Sequence, residues 1–96
     1  MYVKIHRSAD SEVVAVCDKE LIGKELNSGE LFLKVSETFY KGELKDKKEV
    51  KRILKEAKNL NLVGKESVGL GVELGLIDKE NIIMFKNIPY AQALVL

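Results

Sequence analysis

Residues 46–60 constrain the fold more than any other stretch. Val50, Ile53, Leu54, Ala57 and Leu60 recur at helical spacing and form one apolar stripe. Asp46 stands where its carboxylate can accept a backbone amide near Glu49, and Glu49 occupies the capping-box position at the positive helix end. The spacing predicts a helix over 47–60 with one apolar side, and such a helix needs a second layer to cover it. An aspartate at Ile53, on the stripe, is expected to unfold the domain.

The covering layer is readable on both sides of the helix. Residues 2–6 alternate, with Val3 and Ile5 on one side and Tyr2, Lys4 and His6 on the other, which predicts a strand. A polar turn at 8–11 follows. Residues 13–17 are then an unbroken apolar run rich in valine, the pattern of a strand buried on both faces. Together they predict an antiparallel hairpin. Gly23 and Asn27-Ser28-Gly29 mark loops. Residues 31–35 predict a third strand with Leu31, Leu33 and Val35 facing the core, and Phe39-Tyr40 is a candidate continuation of the sheet before Gly42.

Residues 66–77 fit two patterns. Val68, Leu70, Val72, Leu74 and Leu76 alternate as in a strand, and Gly69 and Gly71 would each weaken a helix by up to about 1 kcal/mol. Against that, 73–78 has the form of a helix stop, with Gly75 taking the left-handed conformation. The helix is the preferred reading. Residues 82–85 predict a strand, Pro89 interrupts, and 91–96 predict a short final strand. The element order gives an α+β fold: a compact two-layer sandwich, a mostly antiparallel sheet with two helices on one face.

At 96 residues the chain predicts a single domain over 1–96, able to fold without staples. Cys17 is the sole cysteine, so no internal disulfide or zinc-finger spacing exists, which points to a reducing, cytoplasmic compartment. The start of the chain lacks the long apolar stretch of a signal peptide. No run approaches the roughly 18 apolar residues of a membrane span, so no membrane partner is expected. Net charge is +1 and the isoelectric point 7.8, below the values above about 9 common in nucleic-acid-binding domains.

Candidate chemistry is sparse. Cys17 and His6 suggest a thiol–imidazole pair. The hairpin register, however, sets His6 opposite Val13 and Cys17 opposite Tyr2, separating them by about 13 Å. Cys17 therefore reads as a packed core residue, and no catalytic residue is assigned. Asp18 and Glu20 lack a third ligand, and Glu43 and Asp46 read as loop and cap residues, so no metal is expected. Gly69-x-Gly71 lacks the third glycine of a dinucleotide loop, and Gly64-Lys65 is followed by Glu66 rather than Ser or Thr, so no cofactor is expected. The one directional feature is the charged side of the long helix. Lys47, Lys51, Lys55 and Lys58 share a flank, Lys48 and Arg52 point outward, and Glu49 and Glu56 lie opposite. This ridge is either a phosphate-contacting face or an ordinary solvated one. No aromatic platform for base stacking accompanies it.

Several segments carry a family resemblance: Tyr2-Val3-Lys4-Ile5-His6, Val14-Ala15-Val16-Cys17-Asp18, Leu21-Ile22-Gly23-Lys24, Phe39-Tyr40-Lys41-Gly42-Glu43, Asn61-Leu62-Val63-Gly64 and Ile88-Pro89-Tyr90-Ala91-Gln92. In this order, over nearly the whole chain, they resemble an archaeal family catalogued as a domain of unknown function, number 424. The resemblance implies an archaeal cytosolic protein, a two-layer α+β fold and a helix over 66–74, and it brings no established activity. Where the family usually reads Pro-His-Ala-Gln, this chain has Tyr90 in place of the histidine.

The shared positions have physical readings. Gly42 and Gly64 serve turns of positive φ or close backbone approach. Asn61 caps or braces the second helix. Tyr40, Glu43, Tyr90 and Gln92, with Pro89 among them, either line one surface or tie loops together. The leading functional expectation is a small non-enzymatic binding module, associated with RNA or ribosomal components through the basic helix face. The alternatives are a small-molecule-binding or enzymatic domain with a cleft near Tyr40, Glu43, Tyr90 and Gln92, and a homo-oligomeric scaffold whose apolar tail adds a strand to a neighbour's sheet.

Overall fold

The alternating first segment and the valine-rich run pair as their patterns require. In the computed structural model, which describes residues 1–95, β1 (Tyr2–Arg7) and β2 (Glu12–Cys17) form an antiparallel hairpin with His6 opposite Val13 and Tyr2 opposite Cys17. Helix α2 (Lys47–Glu56) begins as read, with the Asp46 side chain accepting the Glu49 amide at 2.9 Å. Val50 and Leu54 on its stripe are fully buried and Ile53 is half-buried.

That helix stops before Leu60. Ala57 closes it, and Asn59–Val63 is a strand, β6, lying parallel to β2 with Val14 opposite Leu60 and Val16 opposite Leu62. Leu60 happens to continue the helical spacing, but Asn59-Leu60-Asn61-Leu62 alternates with period two. The asparagines are weak helix formers and burying both leucines in the sheet is worth more.

The six-stranded sheet runs β5–β1–β2–β6–β8–β7, where β5 is Glu43–Leu44, β7 Ile83–Phe85 and β8 Ile88–Leu94. Among the described residues only the β2–β6 pairing is parallel. Pro89 does not interrupt β8; it sits inside it, opposite Met84. The β6 ladder has already ended at Val63, where a missing Pro89 amide matters least, and the carbonyl of Pro89 takes the Gly64 amide at 2.9 Å. The tail residues 91–94 belong to this same strand; residue 96 lies outside the described residues.

Helices α2 and α3 (Lys65–Glu73) share one face of the sheet. There Val14, Val16, Leu60 and Leu62 pack with Val50, Leu54, Val68 and Leu70. The opposite face is closed by α1 (Glu37–Tyr40) and a separate hairpin of β3 (Glu25–Ser28) and β4 (Leu31–Lys34), with Leu26, Val35 and Tyr40 over Ala15, Cys17 and Val63. The doubly buried character of residues 14–17 follows from this second cover. Two local readings change. Phe39-Tyr40 is helical rather than extended, because Ser36 caps it by accepting the Phe39 amide at 3.2 Å. Leu31 stands at the hairpin tip, 51% exposed, while Val35 is buried.

Helix α3 ends as its glycine predicts. Gly75 takes φ 74°, the Gly75 amide donates to Val72 O at 3.0 Å and the Leu76 amide to Gly71 O at 2.9 Å.

Candidate functional site

The basic ridge forms on α2, but not uniformly. Lys51 pairs with Glu73 of α3, and that hydrogen bond, helped by the charges of Lys51 and Lys47, holds the Glu73 carboxyl below its usual range. The flank of Lys47 and Lys51 therefore faces a carboxylate. Lys48, Arg52 and Lys55 rise at successive turns on the outer side, all exposed, with Lys58 just beyond the helix. Among the described residues none of these four lies within ion-pair distance of a carboxylate. Glu49 is drawn aside by Lys45 at 3.6 Å, and Lys45 also bonds Glu43 at 3.3 Å, which raises the Lys45 ammonium above its ordinary value.

The residues shared with the family pattern separate into three places. Tyr40, Asn61, Tyr90 and Gln92 meet on the sheet face opposite α2. The strand register puts Ala15, Asn61 and Gln92 in one row, and α1 brings Tyr40 above it. Tyr40 donates its hydroxyl proton to Asn61 Oδ1; Asn61 Nδ2 donates to the Tyr90 hydroxyl at 3.2 Å, and Gln92 Nε2 donates to the same oxygen. Burial, with the neighbouring Tyr90 second, pushes the Tyr40 phenol well above its ordinary range, so it stays neutral. The chain of bonds ties α1 to β6 and β8. Asn61 thus braces strands and a tyrosine, not the second helix.

Glu43 is not part of this cluster. It lies on β5, three strand positions from β6, exposed and held by Lys45. Gly42 serves close approach: a side chain there would meet the Val3 carbonyl.

Gly64 and Pro89 mark the third place, which sequence reasoning reached only in part. Gly64 has φ 109°, and a side chain on it would collide with Asp18. Asp18, 2% exposed, accepts the Glu66 amide at 3.0 Å, the Ser67 amide at 2.8 Å and the Ser67 hydroxyl at 2.7 Å. It caps α3 from the far end of β2. The only signal for this was the sequence Cys17-Asp18 closing an apolar run, which says nothing about a partner 49 residues away.

The lone thiol and imidazole stay apart, as the register requires. Cys17 is fully buried, its Sγ donates to Asp18 O at 3.1 Å, and burial, with the Asp18 and Glu20 charges adding, pushes the thiol up to about 12. The His6 ring lies flat on Phe39, centroids 4.6 Å apart, and its Nε2 donates to Phe39 O at 2.8 Å. Among the described residues no three His, Cys, Asp or Glu side chains gather around one point, and no helix is long and apolar enough to cross a membrane.

Comparison with known families decides the relationship. The family model described as "Protein of unknown function (DUF424)" matches residues 6–96. The chain belongs to the DUF424 family. A solved structure described as that of an uncharacterized conserved protein from Methanopyrus kandleri, an archaeon, matches this DUF424 chain with a TM-score of 0.79 and 27% identity, covering 99% of this chain and 90% of that one. No curated protein sequence matches.

Proposed function

We propose that this DUF424 protein is a non-enzymatic, cytoplasmic binding module that holds RNA or a ribosomal component by its phosphates, through the outer side of α2. The observation that carries the reading is charge segregation on a nearly neutral chain. Residues 45–58 hold seven of the sixteen cations and three of the fifteen carboxylates, so the remainder of the chain is net acidic. Lys48, Arg52 and Lys55 are set on consecutive turns, along a helix about 15 Å long. One nucleic-acid strand presents about four phosphates over that length. A buried, protonated thiol and a histidine engaged to backbone add no reactive pair to the surface.

The test is a triple charge reversal, Lys48→Glu, Arg52→Glu and Lys55→Glu, assayed by filter binding to ribosomal RNA at low salt. These exposed side chains carry no ion pair among the described residues, so thermal stability is expected to change by less than about 1 kcal/mol. Affinity is expected to fall at least tenfold, about 1.4 kcal/mol. Unchanged affinity, or no binding by the parent protein, would remove the reading.

A further inference from the structure

Gly69 is the one glycine in this chain whose place the fold does not explain. It sits in the interior of α3, where glycine costs about 1 kcal/mol relative to alanine. Its φ is not positive, and a side chain built there would meet nothing within 4 Å. Gly71, two residues on, is held to glycine by Leu62 and Ile77, and Gly64 by Asp18. Gly69 is exposed on α3 and is one of the residues lining a groove of about 470 Å³ between α3 and the sheet edge. Val68, Val72, Ile82 and Met84 supply apolar walls, and Lys65 and Lys79 stand on the rim; no carboxylate lines it.

One wall of this groove is the terminal strand of the sheet, whose outer edge carries no ladder partner among the described residues although β3 packs near it through Leu26 and Phe85. β7 is the last strand of the sheet and pairs only with β8. Residues 86–87 make a two-residue turn, so Phe85 and Ile88 are the hydrogen-bonded pair that closes the hairpin, and bonding alternates from there. Ile83 and Phe85 turn their amides and carbonyls toward β8. Met84 turns its own outward, and both Ile83 and Met84 remain more than 40% exposed.

We propose that this groove binds an extended acidic peptide of a partner protein, which adds to the β7 edge at Met84 and lays alternate apolar side chains across Gly69. Backbone pairing to Met84 supplies register, the space above Gly69 takes an apolar side chain, and the rim lysines select flanking carboxylates. The inference is independent of the α2 reading, since Lys48, Arg52 and Lys55 do not line the groove.

The probe is a fluorescein-labelled peptide of about ten residues alternating Glu and Val, long enough to span the edge strand, with a Lys-Val peptide as its counterpart. Fluorescence polarisation is expected to show saturable binding of the Glu-Val peptide below about 1 mM and none of the Lys-Val peptide. Gly69→Leu, which adds a side chain to the groove lining, is expected to weaken binding at least tenfold while leaving RNA affinity unchanged. Should that variant fail to melt cooperatively, the exposed pair Lys65→Glu and Lys79→Glu is read instead, with preference expected to shift to the Lys-Val peptide. Absence of Glu-Val binding, equal binding by Gly69→Leu, or an unaltered preference after the lysine reversal overturns the proposal.

Discussion

At Gly64 the backbone turns through φ 109° with the Asp18 carboxylate occupying the space a side chain would need. The two residues work together: the glycine admits the aspartate, and the aspartate satisfies the first free amides of α3. Asp18→Ala is expected to destabilise the protein by about 2–4 kcal/mol, because it removes three charge-assisted hydrogen bonds and leaves buried donors open. Gly64→Ala is expected to match it; urea denaturation measures both. Of this pair the sequence exposed one half. Gly64 was readable as a position of turn or close approach, whereas Asp18 drew notice only beside Glu20 as an incomplete ligand pair, because nothing local reveals a cap supplied across the fold.

Cys17 and Tyr40 give a second prediction at the same scale. Both folded-state pKa values are raised, Cys17 from 9.0 to about 12, because burial penalises the thiolate and the phenolate. The ionised forms are thus disfavoured in the folded state. Their contribution to stability is fully present below the unfolded-state values of 9.0 and 10.0 and is lost as pH rises from there through the folded values. Equilibrium unfolding is expected to show flat stability from these groups up to about pH 9 and a decline above it. A thiol reagent at pH 8 should react only with unfolded protein.

Among the elements, the two helices were readable and the strand between them was not. α2 announced itself by its cap and stripe, and α3 by the glycine stop at Gly75. β6 was concealed because Leu60 satisfies two periodicities at once, and only its pairing with β2 and β8 selects the strand. The β3–β4 hairpin was hidden in part because Leu26 is a lone buried residue in a polar stretch. The glycines of α3 offer a contrast that follows from structure. Gly69→Ala is expected to raise stability by up to about 1 kcal/mol, since it gains helix propensity and meets no neighbour. Gly75→Ala is expected to lower it by about 1 kcal/mol, since φ 74° strains any side chain there. Thermal melts of the two variants should move in opposite directions. Leu54→Ala, at a fully buried position, should cost about 2–5 kcal/mol, more than truncation of half-buried Ile53.

For the whole molecule, the sheet has both faces covered, one by α2 and α3 and the other by α1 and the small hairpin. Of the family-pattern residues, Tyr40 is buried under that second cover, Asn61 and Tyr90 are half-buried beside it and Gln92 is exposed at its margin, all joined by hydrogen bonds, and the basic side of α2 looks the other way. The positively charged ridge was legible in the sequence as a set of residues. Its division into a flank engaged by Glu73 and an outer row without partners was not, because Glu73 belongs to another helix. The claim that this outer row holds phosphates is tested most directly by the salt dependence of RNA affinity. With about three phosphates engaged, the logarithm of the association constant should fall against the logarithm of salt concentration with a slope near −2, and the triple charge reversal should flatten it. A slope near zero for the parent protein, or one that survives the reversal, would contradict the account.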